Sequence, residues 1–292
     1  MTTTFGQLTD QIHSLLHSAT GIQEQMTWLT AGCTASETTL SVMDSDSVSQ
    51  GISEIEDELV YVSASEGNVL TLAPFGRGFR GSDPVTHATN APVTFNPYFP
   101  RVEIKRAINE CLAQVYPQLY RIEETTFTFN GHQLTYELPA DCGSVVKVLW
   151  ELVGPSKYWE TSYGWRFEDQ SSESSGKAIT LLDMPQVGQT VKVVYQAKFG
   201  VLTANSDTIE DSGFPISAVD LIGYSVAAKL IRFLDLARMQ IGSVENASRS
   251  QLVQVQDAGK IANQMYAMYQ QRLAEERKRL LDLNPPSMYF TR

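Results

Sequence analysis

At 292 residues, with 42% hydrophobic and 19% charged residues, the chain is long enough to bury a substantial core in one or two domains. Its 22 Lys and Arg against 33 Asp and Glu give a net charge of −11, which argues against general adhesion to nucleic acid or to anionic membranes. The charge is uneven: residues 1–100 hold eleven acidic and two basic residues (Arg77 and Arg80), whereas residues 244–292 hold five acidic and seven basic, a pattern suited to a part whose two ends meet different partners.

The first helix is predicted over residues 5–18, where Thr4 and Gln7 fit a capping box and Leu8, Ile12, Leu15 and Leu16 fall on one face. Residues 27–97 are rich in Thr, Ser, Gly and Val and read as short strands and turns. Within them Gly51-Ile52 opens a strand and Leu59-Val60-Tyr61-Val62 supplies apolar residues of strand type. Glu66-Gly67-Asn68 makes a turn, and Val69-Leu70-Thr71-Leu72 returns as the second arm of a hairpin. Gly76, Gly78 and Gly81 then carry the chain through conformations a Cβ opposes. The prolines of Asn96-Pro97-Tyr98-Phe99-Pro100 mark the exit from this module.

A second helix is expected over residues 101–120, striped by Ile104, Ile108, Cys111, Leu112, Val115 and Leu119, with Pro117 loosening its last turn. Residues 122–200 return to β patterning. Thr126-Phe127-Thr128-Phe129 is expected to turn at Asn130-Gly131 into Leu134-Thr135-Tyr136-Glu137-Leu138 as a hairpin, with further strands at 145–152, 178–182 and 190–197 and a loop tip at 171–176. Two helices follow, 215–238 with Pro215 in its first turn, and 249–283 with apolar residues at 252, 255, 258, 262, 265, 269 and 273. The apolar stretch 214–241 contains Asp220, Lys229, Arg232, Asp235 and Arg238, too many charges for a bilayer span. Pro285-Pro286 stops the last helix.

These elements predict an α+β fold: a helical core of about four helices, built from residues 1–26, 98–121 and 201–292, with two inserted β modules at 27–97 and 122–200. Cys33, Cys111 and Cys142 are widely spaced and form no CxxC pair, so neither a disulfide framework nor a zinc site is expected and folding in a reducing cytoplasm is the default. The opening MTTTFGQLTD has no basic or apolar region of a signal peptide.

Each motif with possible chemistry has a plainer structural reading. Gly76-Arg77-Gly78-Phe79-Arg80-Gly81 is a literal GxGxxG, but a dinucleotide fingerprint must open a helix, and here Ser82-Asp83-Pro84 follows. A tight loop, with Arg77 and Arg80 paired to Glu54, Glu56 or Glu58, accounts for it. His13 and His17 have the i,i+4 spacing of a metal pair, yet Ser-Leu-Leu between them lacks the glutamate of HExxH and the sequence shows no third ligand nearby, so solvated or interface histidines are expected. His132 falls in a predicted turn. The run Glu54, Glu56, Asp57 and Glu58 lacks calcium-loop spacing and reads as a solvated acidic face. Trp150, Tyr158, Trp159, Tyr163, Trp165 and Phe167 could make a sugar platform, but β-core and interface packing is the simpler use. Arg277-Lys278-Arg279, flanked by Glu275, Glu276 and Asp282, is a charged helix end. No nucleophile motif is present, and no catalysis, metal or cofactor is expected.

An acidic residue before a Val-Tyr-Val strand, a Gly-Asn turn, a Leu-Thr-Leu strand, Arg77-Gly78-Phe79-Arg80-Gly81-Ser82, and then His87-Ala88 with Ala91 and Val93 form an order that resembles a module of tailed bacteriophages. That module recurs in head-to-tail connector (neck adaptor) proteins and in some tail proteins. Asn96-Pro97 and Phe99-Pro100-Arg101, leading to Ile108-Asn109-Glu110 and then Tyr116-Pro117 and Leu119, are similar to the helix that follows it there, and Ser212-Gly213-Phe214-Pro215 is similar to a further segment of that family. The resemblance implies a structural virion protein, assembled in the bacterial cytoplasm and located in the neck. It implies a homomeric ring, commonly dodecameric, docked beneath the portal protein, meeting the next neck or tail component and conducting DNA without specific binding or membrane contact. It implies that His87 hydrogen-bonds within the loop. The segment 284–292, with Pro285, Pro286, Met288, Tyr289, Phe290 and Arg292, is the expected portal-docking element. A tail or baseplate protein with the same module, or a carbohydrate-binding attachment component using the aromatic cluster, are the alternatives.

Overall fold

In the computed structural model, which describes residues 2–46, 48, 50–152, 158–241 and 255–283, Thr4 caps the first helix. Its hydroxyl accepts from the Gln7 N–H at 3.2 Å while Gln7 Oε1 accepts from the Thr4 N–H at 3.1 Å, so two of the helix's orphan donors are satisfied reciprocally. This helix, α1 (Phe5–Thr20), buries Phe5, Leu8, Ile12 and Leu16. The described residues form two units, one from Met1–Cys111, Thr203–Thr208 and Val219–Gln270, the other from Leu112–Leu202, Ile209–Ala218 and the chain after Gln270.

In the first unit α1 is followed by β1 (Gln25–Trp28), β2 (Thr39–Ser41), β3 (Gly51–Ile55), β4 (Glu58–Glu66), β5 (Val69–Leu72) and β6 (Pro92–Phe95). They make one antiparallel sheet in the order β1-β6-β3-β4-β5-β2. The β4–β5 hairpin turns at Gly67 and Asn68, at φ 54° and 63°, the two positive angles that match a tight turn to strand twist. Leu29, Leu40, Ile55, Val60, Val62, Leu70, Val93 and Phe95 fill its core. Each such side chain stabilises the fold by roughly 1.5–3 kcal/mol relative to exposure.

Helix α2 (Arg101–Gln114) buries Ile104, Ala107, Ile108 and Cys111. It ends three residues before Pro117, short of the expected residue 120. A proline has no N–H for the helical ladder and disfavours helical geometry in the residue before it.

The second unit holds β7 (Arg121–Thr128), β8 (Thr135–Glu137), β9 (Cys142–Leu152), β10 (Tyr158–Ser162), β11 (Trp165–Asp169), β12 (Lys177–Leu181) and β13 (Thr190–Ala197). These form a four-stranded antiparallel sheet, β10-β9-β13-β7, and a three-stranded one, β11-β12-β8. Val148, Ile179, Leu181, Val191, Val193 and Tyr195 lie at the centre of its core, and Phe127 stacks on Tyr136 with ring centroids 4.1 Å apart. The hairpin expected at Asn130-Gly131 does not form: β7 pairs with β13 and β8 with β12. Only Gly131 of the two has a positive φ, and Asn130 Oδ1 instead accepts from the N–H groups of His132 and Gln133, opening the turn into a longer loop.

Two helices follow, α3 (Val219–Ile241) and α4 (Val255–Leu283). Within the first unit α3 packs against α1, and among the described residues no other pair of helices makes comparable contact. The expected helical core with two inserted β modules is therefore overturned. Among the described residues thirteen strands in three antiparallel sheets carry two apolar clusters, whose buried residues come from 29–95 and 129–197, and the buried faces of α1, α2 and α3 add to these without making a separate four-helix core. The sheets are the scaffold, not outgrowths. The misreading has a physical source: a stripe of apolar residues on a helix reports that one face is buried, but not whether a helix or a sheet covers it. No described helix is long and apolar enough to cross a membrane.

Candidate functional site

The glycine-rich loop after β5 is built around one carboxylate. Gly76 allows the loop to close on β4: a Cβ there would lie 2.7 Å from the Tyr61 carbonyl oxygen, where the Tyr61 N–H now donates to the Gly76 carbonyl at 2.8 Å. This closure carries Arg77 over the start of β4, where Glu58 is fully buried. Arg77 donates to Glu58 from Nε at 2.7 Å and from Nη2 at 2.8 Å, the two-pronged geometry a guanidinium offers a carboxylate. The N–H groups of Gly78 and Val85 add 2.9 and 3.1 Å contacts to the same carboxylate. His87 completes it, with Nε2 2.9 Å from Glu58 and Nδ1 2.8 Å from Glu56. Arg77 also donates to the carbonyls of Thr34, Glu37 and Val85.

Burial opposes charge on Glu58, but hydrogen bonds from Arg77, His87 and the two amides outweigh it and hold its pKa down at about 2. For His87, burial again opposes the charged form, and the carboxylates of Glu58 and Glu56 overcome it and raise its pKa above the ordinary value. Backbone pairing of His87 with Cys33, at 3.0 and 2.9 Å, fixes the main chain that carries the ring. Gly81 follows in the 3-10 turn Phe79–Gly81, and the carbonyls of Arg80 and Gly81 accept from Arg106 of α2 at 2.9 and 3.1 Å. That single turn and the extended chain after it place no helix N-terminus on the glycines.

The acidic run is not the solvated face its composition suggests. Glu54 and Glu58 are buried, and Asp57 accepts from Arg101 Nε at 2.9 Å, Lys105 Nζ at 2.8 Å and Asn205 Nδ2 at 2.6 Å. Burial would raise the Asp57 pKa, but these three donors bring it down to about 2. Glu54 accepts from the Arg101 N–H at 2.6 Å at the start of α2, and burial pushes its pKa up to about 8. The expected pairing of Arg77 forms with Glu58, whereas the partners of Glu54 and Asp57 lie 44 to 148 residues away, where spacing gave no signal.

His13 and His17 lie side by side on α1, and the structure brings a third group to them. Glu24 lies just before β1, and its carboxylate approaches both rings. Burial, His17 and Arg101 lower the His13 pKa to about 4. His132 is exposed in the loop before β8. Five of the six candidate sugar-platform aromatics divide between two sheets and the sixth lies in a turn. Trp150, Tyr158 and Trp159 belong to β9 and β10, where Lys192 covers the Trp159 ring at 4.6 Å; Trp165 and Phe167, on β11, pack against the unit's core. Tyr163, in the turn between β10 and β11, is exposed. The predicted docking residues Pro285, Pro286, Met288, Tyr289, Phe290 and Arg292 lie outside the described residues.

Large apolar side chains remain exposed on several elements. Met26 and Trp28 line the edge strand β1, and Phe75 is exposed beside the rings of Tyr61 and Phe79. Tyr158, Leu182, Met184 and Val187 are exposed in the second unit, and Phe233 and Tyr266 on α3 and α4.

A family model described as SU10 adaptor protein matches residues 87–286, more than half of the chain. The match begins at His87, so it includes α2, the strands β7 to β13 and both long helices α3 and α4 but omits the glycine-rich loop. Comparison with curated proteins gives no match.

Proposed function

The chain belongs to the SU10 adaptor protein family, which makes it a structural adaptor of a phage particle, and from that premise we propose that it is a head-to-tail connector subunit. In this reading identical copies close into a ring below the portal protein, meet the next neck or tail component on the other side, and let DNA pass through the lumen. The observation that carries the proposal is the family match over residues 87–286.

Two physical features support it. Exposed Met26 and Trp28 on an edge strand, and exposed Phe233 and Tyr266 on the long helices, are surfaces a subunit in a ring can bury against its neighbours. Different patches meeting head to tail are what closes a ring. The net charge of −11 also suits a wall that repels phosphates and lets DNA slide.

Electron microscopy of the purified protein mixed with portal rings tests this. A second ring of density stacked on the portal is the expected outcome. Portal rings left bare overturn the proposal, and rings of this protein that form without binding the portal indicate a tail or baseplate part.

A further inference from the structure

Three ligand-type atoms converge at the end of α1. His13 and His17 lie one turn apart on the same face. The helix then ends at Gly21, whose left-handed backbone (φ 63°) and N–H bond to the His17 carbonyl at 2.8 Å turn the chain back on itself. That reversal brings Glu24 against both rings. His17 Nε2 lies 3.2 Å from His13 Nε2 and 3.3 Å from Glu24 Oε2, and His13 Nε2 lies 3.7 Å from Glu24 Oε2. A tetrahedral ion with bonds of about 2.0–2.1 Å to its ligands has ligand-to-ligand edges of about 3.3 Å.

The far side of each ligand is anchored. His17 Nδ1 lies 2.9 Å from the Ile22 carbonyl, a contact that requires the proton on Nδ1 and, in the neutral ring, leaves the Nε2 lone pair facing the cluster. Glu24 Oε1 accepts from the Tyr98 N–H at 2.6 Å, which leaves Oε2 for the cluster. With both rings neutral, hydrogen bonds alone leave the cluster short of donors: His17 Nε2 and Glu24 Oε2 are both acceptors, and His13 has one Nε2 proton to offer the two of them. A cation satisfies all three. The nearby positive charge of Arg101 is partnered by Asp10 and Asp57. Glu24 is nearly buried while His13 and His17 keep partial exposure, so solvent can reach an ion from one side.

We propose that His13, His17 and Glu24 bind one divalent transition-metal ion of zinc's class, with water completing its coordination. Two imidazoles select such ions over magnesium and calcium, which prefer oxygen ligands. The ion would tie the last turn of α1 to the approach to β1 and, through Glu24, to the backbone at Tyr98.

The full chain, stripped with a chelator, is titrated with Co2+ and then Zn2+. One equivalent of Co2+ with the visible absorption of a four- or five-coordinate site is expected, displaced by Zn2+, with a Zn2+-dependent rise in melting temperature that Mg2+ does not produce. His17→Ala and Glu24→Gln should each weaken binding at least tenfold, in the range seen when metal-site groups are lost. Glu24→Gln keeps an acceptor for the Tyr98 N–H and so tests the site without removing that structural contact. His132→Ala, in an exposed loop, should bind as wild type. Absence of the Co2+ signal in the wild type, or a signal that survives Glu24→Gln at full affinity, overturns the proposal.

Discussion

Glu58 illustrates what a buried charge demands. It accepts five hydrogen bonds, from Arg77 Nε and Nη2, His87 Nε2 and two backbone amides, and each draws a different part of the loop onto β4. Removing one partner of such a group strands the others' charges without solvent, so Glu58→Gln should destabilise the first unit by about 3–5 kcal/mol in urea unfolding. The pH dependence follows from the two shifted groups. Glu58 has its folded-state pKa lowered from 4.5 to about 2, so its contribution is present above pH 4.5 and is lost as pH falls toward 2. His87 has its folded-state value raised above 6.5, so its contribution is complete below that pH and disappears as pH rises through the raised value. Stability should therefore decline on both sides, and Glu58→Gln should flatten both limbs; a variant with unaltered acid and alkaline limbs would remove Glu58 from this role. The sequence showed the glycines, Arg77 and His87 as one motif, but it could not show that Glu58 is buried. Composition reports the acid; only the pairing of residues 19 and 29 apart shows why it is there.

At the scale of elements, what was legible was local backbone chemistry. The turn at Gly67-Asn68 reads correctly because both residues tolerate positive φ, and the capping box reads correctly because its two bonds span three residues. Asn130-Gly131 misled because an Asn side chain can hydrogen-bond forward as readily as it can enter a tight turn, and the strand pairing that decides between them is long range. Glu24 was missed for a related reason. The sequence places it seven residues beyond His17, and only the reversal at Gly21, itself a readable helix stop, brings it back. Two glycines separate conformational from steric cost. A Cβ at Gly67 would meet nothing, so Gly67→Ala should cost only the left-handed backbone, about 1–2 kcal/mol, and Gly67→Asn less. A Cβ at Gly76 would strike the Tyr61 and Ala73 backbone within 3 Å, so Gly76→Ala should cost more than Gly67→Ala and loosen the Arg77 contacts. Equal melting temperatures for the two alanine variants would contradict this division.

For the whole molecule, the question is which surfaces are committed to assembly. Many of the described cations are already paired within the chain: Arg77 with Glu58, Arg101 and Lys105 with Asp57, Lys192 with Glu124, and Lys229 with Glu110. Apart from the buried Arg77–Glu58 pair, these partly exposed pairs add little stability, but they leave the acidic excess to set the long-range field. In the proposed ring, subunits of this charge would repel DNA, and the proposed contact with the portal is assigned to apolar and shape-specific surfaces. Residues 284–292 have the right composition for that: two prolines, then Met288, Tyr289 and Phe290 as anchors, and Arg292 to meet a carboxylate. Among the described residues the last buried apolar side chain is Leu273, so removing 284–292 should leave the melting temperature and far-ultraviolet spectrum unchanged. It should abolish co-sedimentation with portal rings while self-association persists. Because anchors of this kind hold by apolar contact, wild-type binding should survive salt that screens surface charge, with an effective range of about 8 Å at physiological ionic strength. Portal binding retained by the truncated chain would move the docking surface to the exposed faces of α3, α4 or β1; portal binding lost together with self-association would make residues 284–292 part of the ring itself.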